Sequence, residues 1–478
     1  MSASTFEKDY STTPSTLDDV ETSIRLPVLH SIFAGAFWLV LGTLLLLVSL
    51  IQLTGSSLFA DCAFLTHGKT KPAAWIALLY GFALQMGIAL AITIVCRRSR
   101  KALRHPFTVF MASKVWNLGV VLGIGGVLIG DSSGHRLFEL PVYSSCILFL
   151  AFAVITLKLL LVLHFRVERE MYIGQMYMTA GLFWFLWALS TAIVLLQVDP
   201  VPGATQLVVG NWYVNSVFQV VLGCFGLGAL CYYIPQQAGR PLYSQELAAA
   251  AFWMLVFIGG WTGLVGRYPL PVWISAVSSA ASLLLIIPLV TLAYNLWRTM
   301  DRDPASLGNT QFIYLMCAFG AYVLWSVLGI VYSRPGVADQ LQFTHFETGL
   351  QVLFIYGFIG MVGLGACCTL LPRLIGSSCD SNGPTWVLRA MGLGTGLTAF
   401  VLLLAGWFQG AALSNGKASF MVSVDEGTKL VCVAVVGVAI LALGSVLFFF
   451  GVTNLIVKTI LAEYPVLNWF REEEEVAP

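Results

Sequence analysis

The sequence predicts an all-α polytopic membrane protein of twelve transmembrane helices. Of its 478 residues 58% are hydrophobic and only 10% charged, and the mean hydropathy is +0.84. A soluble domain carries about a quarter charged residues, so this surface has too little to offer water. The apolar residues gather in long runs separated by polar, Gly- or Pro-containing breaks such as Val198 to Pro202 and Arg334 to Ala338. The 25 Lys and Arg residues are balanced by 24 Asp and Glu. That excludes nucleic acid as a partner, because binding phosphates needs a basic face, and leaves the lipid bilayer as the chain's surroundings.

Residues 1–28 are rich in Ser, Thr and acid and read as a disordered tail, with no basic start before an apolar core that would make a cleavable signal. The twelve apolar segments lie near 29–53, 73–96, 107–130, 141–165, 175–197, 210–234, 246–266, 271–296, 311–332, 346–371, 386–408 and 429–457. Each lets a helix satisfy its own backbone hydrogen bonds, which hydrocarbon leaves otherwise unpaired. Short loops make 29–460 one helical membrane domain. Residues 461–478, with the run Glu472 to Glu475, form an acidic tail.

Cations set the orientation. With the N-terminus cytoplasmic, sixteen Lys and Arg fall in inner segments, seven in outer loops, and Lys114 and Lys158 within spans. That bias places both termini in the cytoplasm. The ten cysteines lie mostly in apolar stretches, without C-x-x-C, and read as small packing residues.

Ionisable groups inside hydrocarbon cost a few kcal/mol or more, so each needs a reason. Lys114 and Lys158 lie about two turns from the inner ends of the third and fourth spans, within reach of the headgroups by snorkelling. The competing reading is a proton path or a buried pair, for which inner-side acids are scarce: Glu246 only opens the seventh span. Glu347 lies near the outer end of the tenth span, two residues after His345. At about 100° per residue the two point to nearly opposite helix faces and address different neighbours.

The run Gly228 to Ser244, Gly-Ala-Leu-Cys-Tyr-Tyr-Ile-Pro-Gln-Gln-Ala-Gly-Arg-Pro-Leu-Tyr-Ser, resembles the end of the sixth span and the following loop in subunit I of cbb-type cytochrome c oxidases. Phe252-Trp253 and Trp261-Thr262-Gly263 continue the likeness, Phe64 to Pro72 resembles the lead-in to the second span, and Tyr172-Ile173-Gly174 and Asn211-Trp212-Tyr213 resemble the fifth- and sixth-span entries. His345-Phe346-Glu347-Thr348-Gly349 stands where that family has His-x-His, before a tenth span ending in Leu371-Pro372. The resemblance implies a haem-copper oxidase subunit I-like bundle with six metal-binding histidines. Two would sandwich a low-spin haem, one would hold a high-spin haem and three a copper, since these metals in lipid want neutral nitrogen donors on rigid helices.

Carried over residue by residue, most of that set is missing. The second-span ligand falls at Ala74, the sixth-span copper ligand at Ser216 or Asn215, and the adjacent copper pair near Val265-Gly266. The family's tyrosine falls near Gly259 and its eighth-to-ninth-span acid near Leu328. His345 matches the high-spin haem ligand, while Glu347 stands in the low-spin position. The chain has only six histidines, His30, His67, His105, His135, His164 and His345, with none in spans six and seven. The expected cofactors are therefore none, or at most one haem b through His345, with no copper.

The leading expectation is a degenerate core-subunit relative acting as a structural partner of other respiratory-complex membrane subunits and c-type cytochromes in a bacterial inner membrane. The alternatives are an atypical oxygen or nitric oxide reductase with an unusual metal site, and a channel or transporter for protons or a small solute built on Lys114, Lys158 and Glu347.

Overall fold

The computed structural model describes residues 15–59, 61–266, 269–300, 309–376, 382–415 and 419–463, and among them every regular element is a helix. The principal helices are α1 (Leu17–Leu53), α2 (His67–Ser99), α3 (Pro106–Ile129), α4 (Val142–His164), α5 (Ile173–Val198), α6 (Ala204–Ala238), α7 (Gln245–Gly259), α8 (Val272–Thr299), α9 (Thr310–Tyr332), α10 (His345–Ile375), α11 (Asn382–Ser414) and α12 (Phe420–Glu463), with a short helix Pro335–Leu341 between α9 and α10. All but α7 are long and apolar enough to cross a bilayer. The predicted twelve-helix membrane architecture is present.

Three helices form the centre. The whole apolar stretch of α2 is buried, as is 94% of that of α6 and of α10, whereas the other long helices bury 28% to 56% and turn the rest outward. Near its middle each central helix widens into π-type turns, at Ala77–Ala83, Ser216–Leu222 and Leu353–Gly360. Such turns displace the backbone from its ordinary bonding and need outside partners. The Tyr80 carbonyl accepts from the Trp116 indole (3.0 Å), and the Tyr80 and Tyr213 hydroxyls meet at 2.7 Å. The Tyr356 hydroxyl meets Thr43 of α1 at 2.8 Å.

The central helices also lock side chain into notch. A Cβ at Gly87 of α2 would overlap the Phe225 ring of α6. One at Gly226 of α6 would overlap the Phe358 ring of α10, and one at Gly363 of α10 would lie 2.6 Å from Met86 of α2. Each helix thus offers one notch and fills another, closing a three-membered cycle. Lipid supplies no hydrophobic drive between helices, so close approach at small residues carries the association.

Two expectations are corrected at the chain ends. Residues 17–28 are not a disordered tail, because α1 already begins at Leu17. A Thr16-x-x-Asp19 capping box starts it, with Asp19 N–H donating to Thr16 Oγ1 at 3.1 Å and Thr16 N–H to Asp19 Oδ2 at 3.1 Å. Glu21 on the added turns pairs with Arg97 at 2.7 Å, holding α1 to the end of α2. Residues 1–14 lie outside the described residues. At the other end α12 runs to Glu463, past the expected domain limit at 460, and 464–478 lie outside the described residues.

The seventh span also differs. Expected over 246–266, it leaves the helix after Gly259, and Gly263 and Gly266 turn the chain with φ of +87° and +114°. Fifteen residues give about 22 Å at 1.5 Å per residue, short of the roughly 30 Å hydrocarbon core.

Gly226→Ala is expected to lower stability in detergent by about 1–3 kcal/mol through overpacking. Gly125→Ala, with open space at its Cβ on α3, is expected not to lower it. Parallel thermal unfolding curves of the two variants check this.

Candidate functional site

Two regions carry polar groups where the bundle would otherwise be dry. The first is an ionic cluster at the end of the bundle opposite the N-terminus. Glu347, on the first turn of α10, accepts from the Tyr332 hydroxyl at 2.6 Å and pairs with Arg136 Nη1 at 2.6 Å. Its side chain is 13% exposed and that of Arg136 45%. Lys71 on the first turn of α2 and Glu139 in the α3–α4 loop lie within electrostatic reach of this pair.

Glu139 has one carboxylate oxygen buried without a hydrogen-bond partner. Burial pushes its pKa up from the ordinary carboxylate range, against the downward pull of backbone N–H groups, Arg136 and Lys71. His67 is tied down nearby, its Nδ1 at 3.0 Å from both the hydroxyl and the carbonyl oxygen of Ser49.

His345 takes the other side of the α10 turn, as the two-residue spacing implies. Its backbone N–H donates to Gln409 Oε1 at 3.1 Å, and its ring lies against Gly427 of α12, where a Cβ would sit 3.6 Å from Nε2. It therefore faces α12, while Glu347 faces α9.

The second region is a cavity of about 180 Å³ between α6, the chain after α7, α8, α9 and α10. Asn215, Gln219, Thr262, Tyr322, Ser326 and Gly329 are among its walls, and none of the residues lining it is acidic, basic or a histidine. It occupies the corner where the resemblance puts the copper ligands. Asn215 there is engaged by amide chemistry: Oδ1 accepts from Thr262 Oγ1 and Nδ2 donates to the Gly259 carbonyl, both at 2.9 Å. Gly266 abuts the Gln342 amide. From α10 the cavity receives Leu350, not His345.

Lys114 and Lys158 join neither region. Lys114 is exposed on α3 with its ammonium 4.5 Å from the centre of the Phe110 ring, and Lys158 is half-buried on α4. Both sit at the N-terminal end of the bundle, far along the axis from Glu347. Sequence reasoning missed Lys71, Arg136 and Glu139 as neighbours of Glu347. The four come from three places far apart in sequence, the start of α2, the α3–α4 loop and the start of α10, so no local pattern joined them.

The model of the family described as cytochrome C and quinol oxidase polypeptide I matches residues 27–440. The chain belongs to that family. Among curated relatives, the cytochrome c oxidase subunit 1 homolog of Azorhizobium caulinodans is 22% identical, over 95% of this chain and 86% of that protein. The cbb3-type cytochrome c oxidase subunit CcoN1 of Stutzerimonas stutzeri is 25% identical, over 71% of this chain and 73% of that protein. The bacteroid cytochrome c oxidase subunit 1 homolog of Bradyrhizobium diazoefficiens is 23% identical over 72% of this chain, and the match spans 65% of that protein's length. A solved heme-copper terminal oxidase dimer superposes with a TM-score of 0.70 at 14% identity, over 90% of this chain and 84% of that one. The chain is thus an integral membrane protein resembling cytochrome c oxidase subunit I, cbb-type relatives included.

That family implies two haems and a copper, and the residues present can be tested against them. The copper corner offers amides, hydroxyls and glycine, and the expected second-span ligand position is the fully buried Ala74. Among the described residues no three His, Cys, Asp or Glu side chains stand close enough to share a metal. The sector of α1, α2, α10, α11 and α12 is closed by tight contacts, Gly42 on Leu78, Gly81 on Trp38, Gly349 on Leu403 and Gly394 on Leu441. The donors at these positions do not fit the copper or a bis-imidazole haem.

Two outcomes follow for the ionic cluster. Arg136→Gln and Glu347→Gln are expected to couple by about 1 kcal/mol in a double-mutant cycle, modest because Arg136 is half in solvent. For Glu139 the folded-state pKa is raised, so deprotonation costs stability as pH climbs past the ordinary carboxylate value. Glu139→Gln is therefore expected to be more stable than the parent at pH 7 and equal to it near pH 4, read from unfolding midpoints across that range.

Proposed function

We propose that this chain is a non-catalytic structural subunit of a membrane respiratory complex, keeping the subunit I bundle without its copper site and low-spin haem site. The observation that carries the reading is the hydrogen-bonded Asn215–Thr262–Gly259 corner. Groups that once would have had to present imidazole nitrogen to copper are here spent on one another. The pairing of Glu347 with Arg136 and Tyr332, together with Ala74 at the expected second-span ligand position, supports the same reading for the low-spin haem. His345 turned toward Gly427 supports a chain that holds no haem through it either.

The bundle's partners in this reading are the other membrane subunits of such a complex and its c-type cytochromes. The relatives' names as oxidase subunits support that. The cation bias supports an orientation with both termini cytoplasmic, and the resemblance to bacterial subunits supports the bacterial inner membrane.

An atypical reductase would need an electron-accepting metal held by donors that these walls do not offer. A transporter built on Lys114, Lys158 and Glu347 finds no common path, since two of the three sit at the opposite end of the bundle, on α3 and α4.

The test is a reduced-minus-oxidised spectrum with metal analysis on protein purified from native membranes. The expected result is no b-type haem absorbance and no copper assigned to this chain. A stoichiometric haem lost on His345→Ala, or bound copper, would overturn the proposal.

A further inference from the structure

We propose that the cavity between α6, α8 and α9 is a binding site for a small, uncharged, single-ring molecule that carries a hydroxyl or carbonyl oxygen. Size sets the first limit. At about 180 Å³ it is slightly larger than the roughly 150 Å³ apolar cavity that admits benzene in another protein. One ring with one or two substituents fits, and a two-ring compound or a porphyrin does not.

Charge sets the second limit. With no acid, base or histidine in its walls, an ionised ligand would enter unpaired, at a cost of several kcal/mol. Glu347, which touches the lining residue Tyr332, is already committed to Arg136 and the Tyr332 hydroxyl.

The walls then define what kind of ring. Tyr322 and Trp325 of α9 form one side of the cavity. Behind them and outside it, Phe358 lies 4.7 Å from Tyr322 and Phe354 4.4 Å from Trp325, centre to centre. A rigid aromatic face favours a planar partner, whose ring stacks or packs edge-on against it. Neutral hydrogen-bonding residues, the buried Gln219 and Ser326, line the cavity beside these rings. Ser326 and Gln219 both stand beside the Tyr322 hydroxyl, but Ser326 Oγ, itself buried, makes no bond of full hydrogen-bonding geometry. Leaving such a group unmatched costs about 1–3 kcal/mol, which a ligand oxygen would recover. A purely hydrocarbon ring would not.

The lipid side of the cavity is its least closed wall. There α8 is interrupted at Leu285, and α9 presents Gly329, beside which a Cβ would meet nothing within 4 Å. Leu284 and Ile287 on α8 and Val327 on α9 point outward beside this seam, so the ligand reaches the cavity from the bilayer.

The test uses the whole purified chain in lipid nanodiscs with 4-fluorophenol and the matched ring fluorobenzene, followed by fluorine NMR against protein-free nanodiscs. The expected result is one saturable 4-fluorophenol site per chain, at least tenfold tighter than fluorobenzene. Gly329→Leu is expected to fill the cavity and abolish that site. Ser326→Ala with Gln219→Leu should reduce 4-fluorophenol to the level of fluorobenzene. An unchanged unfolding midpoint shows that each variant is folded, and Ser326→Ala alone, a minimal change, serves if a larger one is not. No saturable site, a site indifferent to Gly329→Leu, or equal binding of the two rings would overturn the proposal. A haem spectrum would instead count against the preceding reading, so the two fail separately.

Discussion

The structure depends on three helices that must approach more closely than ordinary side chains permit. Around α2, α6 and α10 each contact is a ring or thioether seated on a glycine: Phe225 on Gly87, Phe358 on Gly226, Met86 on Gly363. Because the three contacts form a cycle, no one helix can be displaced without opening two interfaces. The π-type turns lie at the same depth, and their loosened carbonyls and hydroxyls reach outward, to Trp116 and to Thr43. The centre therefore fixes the positions of α1 and α3 as well as its own. The nine surrounding helices can afford broad lipid-facing surfaces because the centre has already set the registers.

Much of this was legible in the residues. The long apolar runs gave the helices, because nothing but a helix satisfies a backbone in hydrocarbon. The run Gly228 to Ser244 pointed to the family that the comparison with residues 27–440 establishes. The opposite facing of His345 and Glu347 followed from helix geometry alone. What stayed hidden had physical causes. The polar turns from Leu17 to Val28 looked like a tail because their stabilisation is by partners distant in sequence, Glu21 on Arg97 and Ser23 accepting from the Leu103 N–H at 2.9 Å. The short α7 read as a full span because Trp261 to Val265 is as apolar as a helix, although the chain there lines a cavity wall. Lys71, Arg136 and Glu139 each looked like an isolated loop charge, and only the fold brings them to Glu347.

The two halves of the bundle pack differently. Where α1, α2, α10, α11 and α12 meet, glycine contacts such as Gly394 on Leu441 and Gly437 on Thr398 let the helices close together. Small residues on both partners make that collapse inexpensive. Around α6 to α9 it is not available. Asn215, Gln219, Thr262, Tyr322 and Ser326 must keep hydrogen-bonding room, and pressing them against leucine or valine would strand each polar atom at about 1–3 kcal/mol apiece. The interrupted α8 and the end of α7 at Gly259 also hold that wall apart. The bundle therefore has a closed interface on one side and a neutral, polar-edged cavity on the other. The difference follows from side-chain chemistry, since an apolar wall can be packed shut and a polar one has to be satisfied.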